Sequence, residues 1–265
     1  MYSKIKLALK YLQYYLTASN GKGHGMHSPF VFDFITNVLN DERYFYAYAQ
    51  IEQQRQYLLN DTRKIRIEDF GAGSRIINSK ERTVQSIART SLKPKKFSQL
   101  LFRMVNYYQP NTIIELGTSL GITTAYLASA KNDAKIISME GSSAVAFGAR
   151  ENFSKLHLTN LELTEGNFDD TLSTAISKLS SIDFAFIDGN HRYQPTINYF
   201  LQILSKSNNH SIIILDDIHW SKEMEDAWNF VQEHEAVTLT IDLFFIGIVL
   251  LEKEFKVKQH FSVRF

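Results

Sequence analysis

From Phe97 onward, short apolar runs alternate with amphipathic helical stretches, and this alternation restricts the fold more than any other feature of the chain. Phe97, Leu100, Leu101, Met104, Val105 and Tyr108 recur at helical spacing and mark a first helix. The runs TIIELG (112–117), KIISME (135–140), LELTEG (161–166), IDFAFID (182–188) and SIIILDD (211–217) then predict strands, with helices beginning near Leu120, Ser143, Phe168, Arg192 and Lys222. Strands joined through helices run parallel. VTLTIDL (237–243) and IGIVLLE (246–252) depart from this, because the two residues between them are too few for a parallel crossover. The expected fold class is therefore α/β: a doubly wound, seven-stranded, mostly parallel sheet with an antiparallel last strand. Ligands in such sheets bind at the carboxyl ends of the strands, near the switch point.

Residues before this pattern are expected to be helical. Ile5, Leu9, Leu12 and Leu16 recur at helical spacing, with Lys4, Lys6 and Lys10 elsewhere on the wheel. They predict an amphipathic helix over about 3–18 whose apolar stripe docks on the protein's own core rather than on a membrane. NGKGHGMHSPF then breaks the period, and Ser28-Pro29 supplies an N-cap and first-turn proline for a helix through Leu39. A tyrosine-rich helix is expected near 43–59. The predicted organisation is an N-terminal helical region (1–95) covering substrate or making an oligomer contact, a catalytic domain (96–253), and a C-terminal tail (254–265) forming an edge strand.

Composition removes several chemistries. The 265 residues, 44% hydrophobic and 22% charged, suit one sizeable domain or one domain with an appendage. A net charge of +1 gives no global field for nucleic acid or anionic lipid. With no cysteine, disulfides, thiolate zinc sites, iron–sulfur clusters and a cysteine nucleophile are excluded. The longest apolar run, LFFIGIVLL, is far short of the ~20 residues of a membrane helix, and no signal-peptide core is seen at the N-terminus. The expectation is a soluble cytoplasmic protein with no membrane partner. The Tyr and Phe residues before position 60 serve either a homodimer interface or a core.

The stretch IIELGTSLGITTAYLA (113–128) places a strand ending in an acid, two glycines four apart and a helix in succession. A dinucleotide loop would want G-x-G-x-x-G so that pyrophosphate can approach the backbone. Here Gly117 is followed by Ser119 and Gly121, and Glu115 stands at the mouth of the loop. A carboxylate repels pyrophosphate but suits the ammonium and sulfonium groups of S-adenosylmethionine. Glu140 closes the next strand, where a carboxylate accepts hydrogen bonds from ribose hydroxyls; NAD enzymes share that feature.

The successive segments ELGTSLGITTAYLA, SMEGSS, LTEGNFDD, IDFAFIDGNHRY and IILDDIHW resemble the motifs of class I S-adenosylmethionine-dependent methyltransferases, nearest to the catechol and caffeoyl-coenzyme A type O-methyltransferases. The resemblance covers about residues 92–252. It implies that Glu115, Gly117, Thr118, Ser119 and Gly121 line the methionine end of the cofactor. Glu140 and Gly141 would hold the ribose, Gly166 and Asn167 would border the adenine, and Asp188 would lie beside the cofactor. In that family an aspartate after the fourth strand and an Asp-Asn pair after the fifth bind Mg2+. The corresponding residues here are Asp188, Asp216 and Asp217, the last an acid in place of a neutral asparagine. Magnesium takes oxygen ligands and lowers the pKa of a bound hydroxyl; the alternative is that these acids cap loops or touch the cofactor.

The position of the family's lysine base is occupied by His191, whose ordinary pKa near ~6.5 lets it accept a proton at neutral pH. The alternative is a hydrogen bond to cofactor or backbone. His219 is a second candidate base, better explained as a loop histidine. IEDFGAGSR (67–75), with Asp69, Gly71 and Gly73, imitates a second cofactor loop, but no apolar helix or acid-ended strand follows it. His24 and His27 in GKGHGMHSPF lack a third metal ligand nearby, and a loop or substrate gate is the better reading. The expected function is O-methylation of a small hydroxylated molecule, Mg2+-assisted with a histidine base. An RNA nucleoside substrate is one alternative, with Arg63, Lys64, Arg66, Arg75, Lys93, Lys95 and Lys96 as contributors to a nucleic-acid surface. An NAD-dependent oxidoreductase and a non-catalytic cofactor-binding relative are the others.

Overall fold

The structure, a computed structural model, describes residues 1–67, 81–252, 255 and 257–265. The glycine segment with Asp69, Gly71 and Gly73, and Arg75 with it, lies outside the described residues. The elements in chain order are α1 (Lys4–Thr17), α2 (Pro29–Phe34) continued by a π-helical turn (Ile35–Leu39), α3 (Tyr46–Asn60), β1 (Lys64–Arg66), β2 (Glu81–Thr83), α4 (Val84–Ser91) and α5 (Lys95–Tyr108). Then come β3 (Thr112–Leu116), α6 (Ile122–Ala130), β4 (Lys135–Glu140), α7 (Ser143–Lys155), β5 (Leu161–Glu165) and α8 (Phe168–Ser177). The chain closes with β6 (Ile182–Ile187), α9 (Tyr193–Leu204), β7 (Ser207–Asp216), α10 (Lys222–Glu233), β8 (Leu239–Asp242), β9 (Ile246–Leu250) and β10 (Gln259–Ser262).

Among the described residues the main sheet has eight strands, the seven expected and one in the tail expected to form an edge strand. The addition is β10, which pairs parallel with β8 at the sheet edge. The chain divides into two compact units: a middle unit, Glu42–Lys178, and a flanking unit made of Met1–Asp41 and Leu179–Phe265.

In the middle unit β3, β4 and β5 run parallel in that order, setting Glu115 beside Ser138 and Glu140 beside Glu165. After Thr112, β3 is apolar except at Glu115, and Ile113, Ile114 and Leu116 are fully buried, as a parallel strand covered on both faces requires. Helix α3 joins this core through Tyr48 and Ile51, which pack with Phe102 of α5 and Tyr126 of α6. Tyr126 keeps its hydroxyl satisfied by donating to Glu52 Oε1 at 2.7 Å, and Gln54 donates to Asn152 Oδ1 at 2.7 Å. The small β1–β2 ribbon is antiparallel and separate from the main sheet.

In the flanking unit the strand order is β6-β7-β9-β8-β10. β9 is antiparallel to both β7 and β8, so among the described strands of this unit it alone is reversed. Helix α10 lies close on β9: a Cβ at Gly247 would stand 2.6 Å from two atoms of the Trp228 ring. The cap residues do what their chemistry suggests, with Ser28 accepting from Val31 N–H ahead of Pro29, and Ser221 accepting from Met224 N–H.

Helix α1 corrects one expectation. Its stripe of Ile5, Leu9, Leu12 and Leu16 is exposed, and the body contacts come from the opposite side. Tyr14 and Ala18 are buried with Phe244, joined by Leu7 and Tyr11. The Tyr11 and Tyr14 rings stand 5.0 and 5.3 Å from that of Phe244, and the Tyr14 hydroxyl donates to the Val263 carbonyl. Two tyrosines offer large apolar area plus a hydrogen-bonding tip, which the aliphatic stripe does not.

Candidate functional site

The glycine loop is built by strand β3 running out beside the end of β4. Gly117 and Thr118 both donate backbone N–H to the Met139 carbonyl, at 2.9 and 3.0 Å, and Gly121 N–H closes the turn on Thr118 O at 2.9 Å. Gly117, Ser119 and Gly121 have φ of 101°, 49° and 78°. Three left-handed residues in five turn the chain sharply before α6 begins. At Gly121 an added Cβ would fall 2.4 Å from Phe153 Cε1, so glycine there also admits α7.

Glu140 locks this loop to β4. One carboxylate oxygen accepts from Ser119 N–H at 2.8 Å and the other from Ser142 N–H at 2.9 Å. Gly141 falls between these contacts, before the Ser142 cap of α7. The next strand reaches the same place: Gly166, with φ of 122°, donates to the Glu140 carbonyl at 3.0 Å. Asn167 then caps α8, its Oδ1 accepting from Asp169 N–H at 3.2 Å.

Glu115 and Thr118 point elsewhere. Glu115 is fully buried, and its Oε2 accepts from Thr124 Oγ1 at 2.5 Å and Ser138 Oγ at 2.6 Å. Thr118 Oγ1 meets Ser138 Oγ at 2.5 Å. These side chains brace the loop from behind. Asn152 supports it too, donating to the Leu120 carbonyl at 2.8 Å. Thr124, Ser138 and Asn152 were not singled out in the sequence, although Ser138 is a polar residue inside an apolar strand, a signal that could have marked it. Ser119 Oγ is buried without a hydrogen-bond partner in the protein. A ligand offering a polar group to the loop would satisfy it. Together with the carboxylate of Glu140 and the glycine turns, this fits the amino-acid and ribose groups of S-adenosylmethionine.

A second cluster lies in the flanking unit. Asp188 follows β6 directly and Asp216 ends β7; the parallel register sets Ile187 beside Leu215, so the two aspartates emerge together. Asn190 and His191 have φ of 65° and 34°, a tight reversal that returns the imidazole toward the strand end. One donor atom from each of Asp188, His191 and Asp216 lies within 4.8 Å of the others. His191 Nε2 is 3.5 Å from Asp188 Oδ1, and Asp216 is almost wholly buried. Asp217 does not belong to this group. Its φ is 52°, and its backbone is committed to turn bonds from Asp217 N–H to Phe245 O and from Trp220 N–H to Asp217 O. The two aspartate carboxylates are oxygen donors that suit a divalent cation of the Mg2+–Mn2+ class, with an imidazole beside them that can exchange a proton.

His219 occupies a different setting. Its Nε2 meets Asp242 Oδ2 at 2.7 Å and its Nδ1 meets Glu225 Oε1 at 3.3 Å. Burial alone would pull its pKa down, but the hydrogen bonds and charges of Asp242 and Glu225 outweigh burial and raise it. Both ring nitrogens of this imidazole are engaged by carboxylates. His24 and His27 are exposed on the loop before α2. A polar cavity of about 310 Å3 between Gln50, Asn132, His157 and Asn160 lies at the amino end of β5, away from the glycine loop.

Residues 114–218 match a family model described as a methyltransferase domain. An uncharacterized protein, R132, of Acanthamoeba polyphaga mimivirus is 27% identical over 143 residues, or 49% of this chain; the match spans 64% of that protein's length. Among solved structures, SAH-bound PaMTH1 of Podospora anserina aligns with a TM-score of 0.60 at 14% identity, over 85% of this chain and 97% of that one. The O-methyltransferase of Bacillus cereus in complex with SAH gives 0.56 at 18%, over 80% and 93%. TomG of Streptomyces achromogenes, an O-methyltransferase in complex with SAM, gives 0.57 at 15%, over 84% and 95%. At these identities the structural matches establish the fold. Among the described residues no helix is long and apolar enough to cross a membrane.

Proposed function

We propose that this chain, whose residues 114–218 match a methyltransferase domain, is a class I S-adenosylmethionine-dependent methyltransferase that transfers the cofactor's methyl group to a hydroxyl oxygen of a small molecule. The observation that carries the reading is the convergence of Asp188, His191 and Asp216 at the ends of β6 and β7. Methyl transfer from a sulfonium needs an aligned, deprotonated oxygen more than it needs elaborate chemistry. The acceptor oxygen forms a bond to the methyl carbon, the carbon–sulfur bond breaks, and the sulfur keeps the electron pair. The acceptor's proton passes to His191 Nε2.

In the middle unit Ser119 and Glu140 are assigned to the cofactor, Glu140 through the ribose hydroxyls. Gly117, Gly121, Gly141, Gly166 and Asn167 shape the backbone around it, while Glu115 and Thr118 hold the loop's form. Asp188 and Asp216 are assigned to a divalent cation, which when bound lowers the pKa of an acceptor hydroxyl. The solved O-methyltransferases of the same fold support the choice of oxygen as acceptor atom. Arg63, a residue an RNA-binding surface would want free, is engaged by Asp61 at 2.7 Å and Glu151 at 3.3 Å, and Lys64 lies 3.5 Å from Glu81.

The test is transfer of labelled methyl groups to a panel of catechols and other small hydroxylated compounds, with and without Mg2+ or Mn2+. His191→Gln is expected to lower turnover by roughly 10²–10⁴-fold, the range of a lost general base, while leaving S-adenosylhomocysteine affinity unchanged. Undiminished turnover would remove His191 from this role.

A further inference from the structure

We propose that Gln54 is a positioning residue for the glycine loop: its amide nitrogen keeps the Asn152 amide turned toward the loop, and so holds the loop in the form that takes S-adenosylmethionine. The inference rests on the assignment of this loop to the cofactor. Leu120 is fully buried between the left-handed Ser119 and Gly121, one residue ahead of the N-cap of α6. Its carbonyl lies outside the helix ladder and needs a donor from a side chain. Asn152 Nδ2 of α7 is that donor, at 2.8 Å. Asn152 Oδ1 then points away from the loop and accepts from Gln54 Nε2 of α3 at 2.7 Å. All three residues lie in the middle unit, and both amide side chains are buried.

The chemistry of these groups admits one arrangement. A carbonyl only accepts, so Asn152 must turn its nitrogen to Leu120, and whatever meets its oxygen must donate. An asparagine amide has nearly the same shape after a half-turn, so packing alone does not select between the two orientations. Reversed, the Asn152 oxygen would stand against the Leu120 carbonyl, two buried acceptors without a donor. Gln54 supplies the donor that makes the observed orientation the better one, with two hydrogen bonds formed instead of one. Its neighbours on α3 are committed elsewhere: Glu52 accepts from the Tyr126 hydroxyl at 2.7 Å, and Arg55 donates to the Lys93 carbonyl at 2.8 Å. A residue of the N-terminal region, outside every motif of the sheet, thereby sets a carbonyl of the cofactor loop.

The test replaces Gln54 by its isostere. In Gln54→Glu the ionised carboxylate only accepts, so Asn152 turns its nitrogen to residue 54 and withdraws it from Leu120. Isothermal titration with S-adenosylhomocysteine is expected to show about five- to tenfold weaker binding. A smaller loss is expected for Gln54→Met, which offers no acceptor to turn the amide. Lowering the pH from about 8 to about 5 protonates a carboxyl buried at this position, which then donates again, so the deficit against the unaltered chain shrinks. Charged residues beside the pair in sequence, Glu52, Arg55 and Glu151, are in ion pairs and common to both chains. In the ligand-free protein the Gly121 amide, bonded to Thr118 O, exchanges faster in Gln54→Glu. Added to Asn152→Ala, the change Gln54→Glu has no further effect on binding. A space-filling role for Gln54 predicts the reverse: glutamate milder than methionine, the same deficit at both pH values and unaltered Gly121 exchange. That pattern, or an equal loss in the Asn152→Ala background, would overturn the proposal. Failure of the unaltered chain to bind would overturn the cofactor assignment instead, and Gly121 exchange then decides whether Gln54 sets the loop.

Discussion

At Gly121 the backbone sits at φ of 78°, and any side chain would drive into the Phe153 ring. Gly121→Ala must therefore displace α7 or unwind the turn, and is expected to cost ~1–3 kcal/mol of stability. A shift of the urea midpoint to lower concentration, together with weakened S-adenosylhomocysteine binding, checks this; an unchanged midpoint would show that Phe153 gives way freely. The neighbouring acid shows how far single residues were legible. That an acid belongs near the end of β3 is visible in IIELG, but the direction of its side chain is not. Glu115 turns inward because Thr124 and Ser138, nine and twenty-three residues away, offer hydroxyl donors there. Glu140 ends the adjacent strand yet turns into the loop, because the amides of Ser119 and Ser142 are within reach. Local spacing carries no record of such distant donors.

The first helix poses the same question at the scale of an element. Its period established which residues share a face, and it formed within a residue of the expected limits. What covers each face depends on Phe244 and Val263, more than two hundred residues away, and the expectation of a docked aliphatic stripe failed for that reason. Polar contacts reinforce the docking: Lys10 pairs with Glu225 at 2.7 Å, Tyr2 donates to Glu225, and Glu225 and Asp242 hold His219. This network titrates from both sides. His219 has a folded pKa above its ordinary 6.5, so its contribution is fully present below that value and is lost as pH rises through the raised pKa. Burial pushes Glu225 up, but hydrogen bonds from Lys10 and Tyr2 outweigh it and hold Glu225 below its ordinary 4.5; its contribution is present above that value and disappears as pH falls through the lowered pKa. The stability lost in His219→Gln is thus expected to be greatest between about pH 4.5 and 6.5 and to shrink at higher pH. Urea midpoints across pH 5–9 measure it, and a pH-independent difference would contradict the assignment.

Across the whole molecule, the alternation of apolar runs and helices predicted the parallel strands and the reversed one. Strands buried on both faces must be nearly continuous apolar runs, and a two-residue connection permits only reversal. The eighth strand, QHFS, lies in the tail expected to form an edge strand; it is short and half exposed, and it pairs with β8 at the sheet edge. The candidate site was legible as a set of strand ends. Which acids converge there depends on turns such as Asn190–His191 and Asp217, whose left-handed backbones fall on residues other than glycine. The central claim, that the glycine loop and Glu140 serve S-adenosylmethionine, is tested most directly by isothermal titration of the unaltered protein and Glu140→Ala with S-adenosylhomocysteine and, separately, NAD. The account predicts binding of S-adenosylhomocysteine, at least tenfold weaker in Glu140→Ala, and no binding of NAD. Binding of NAD in its place, or an affinity for S-adenosylhomocysteine indifferent to Glu140, would contradict it.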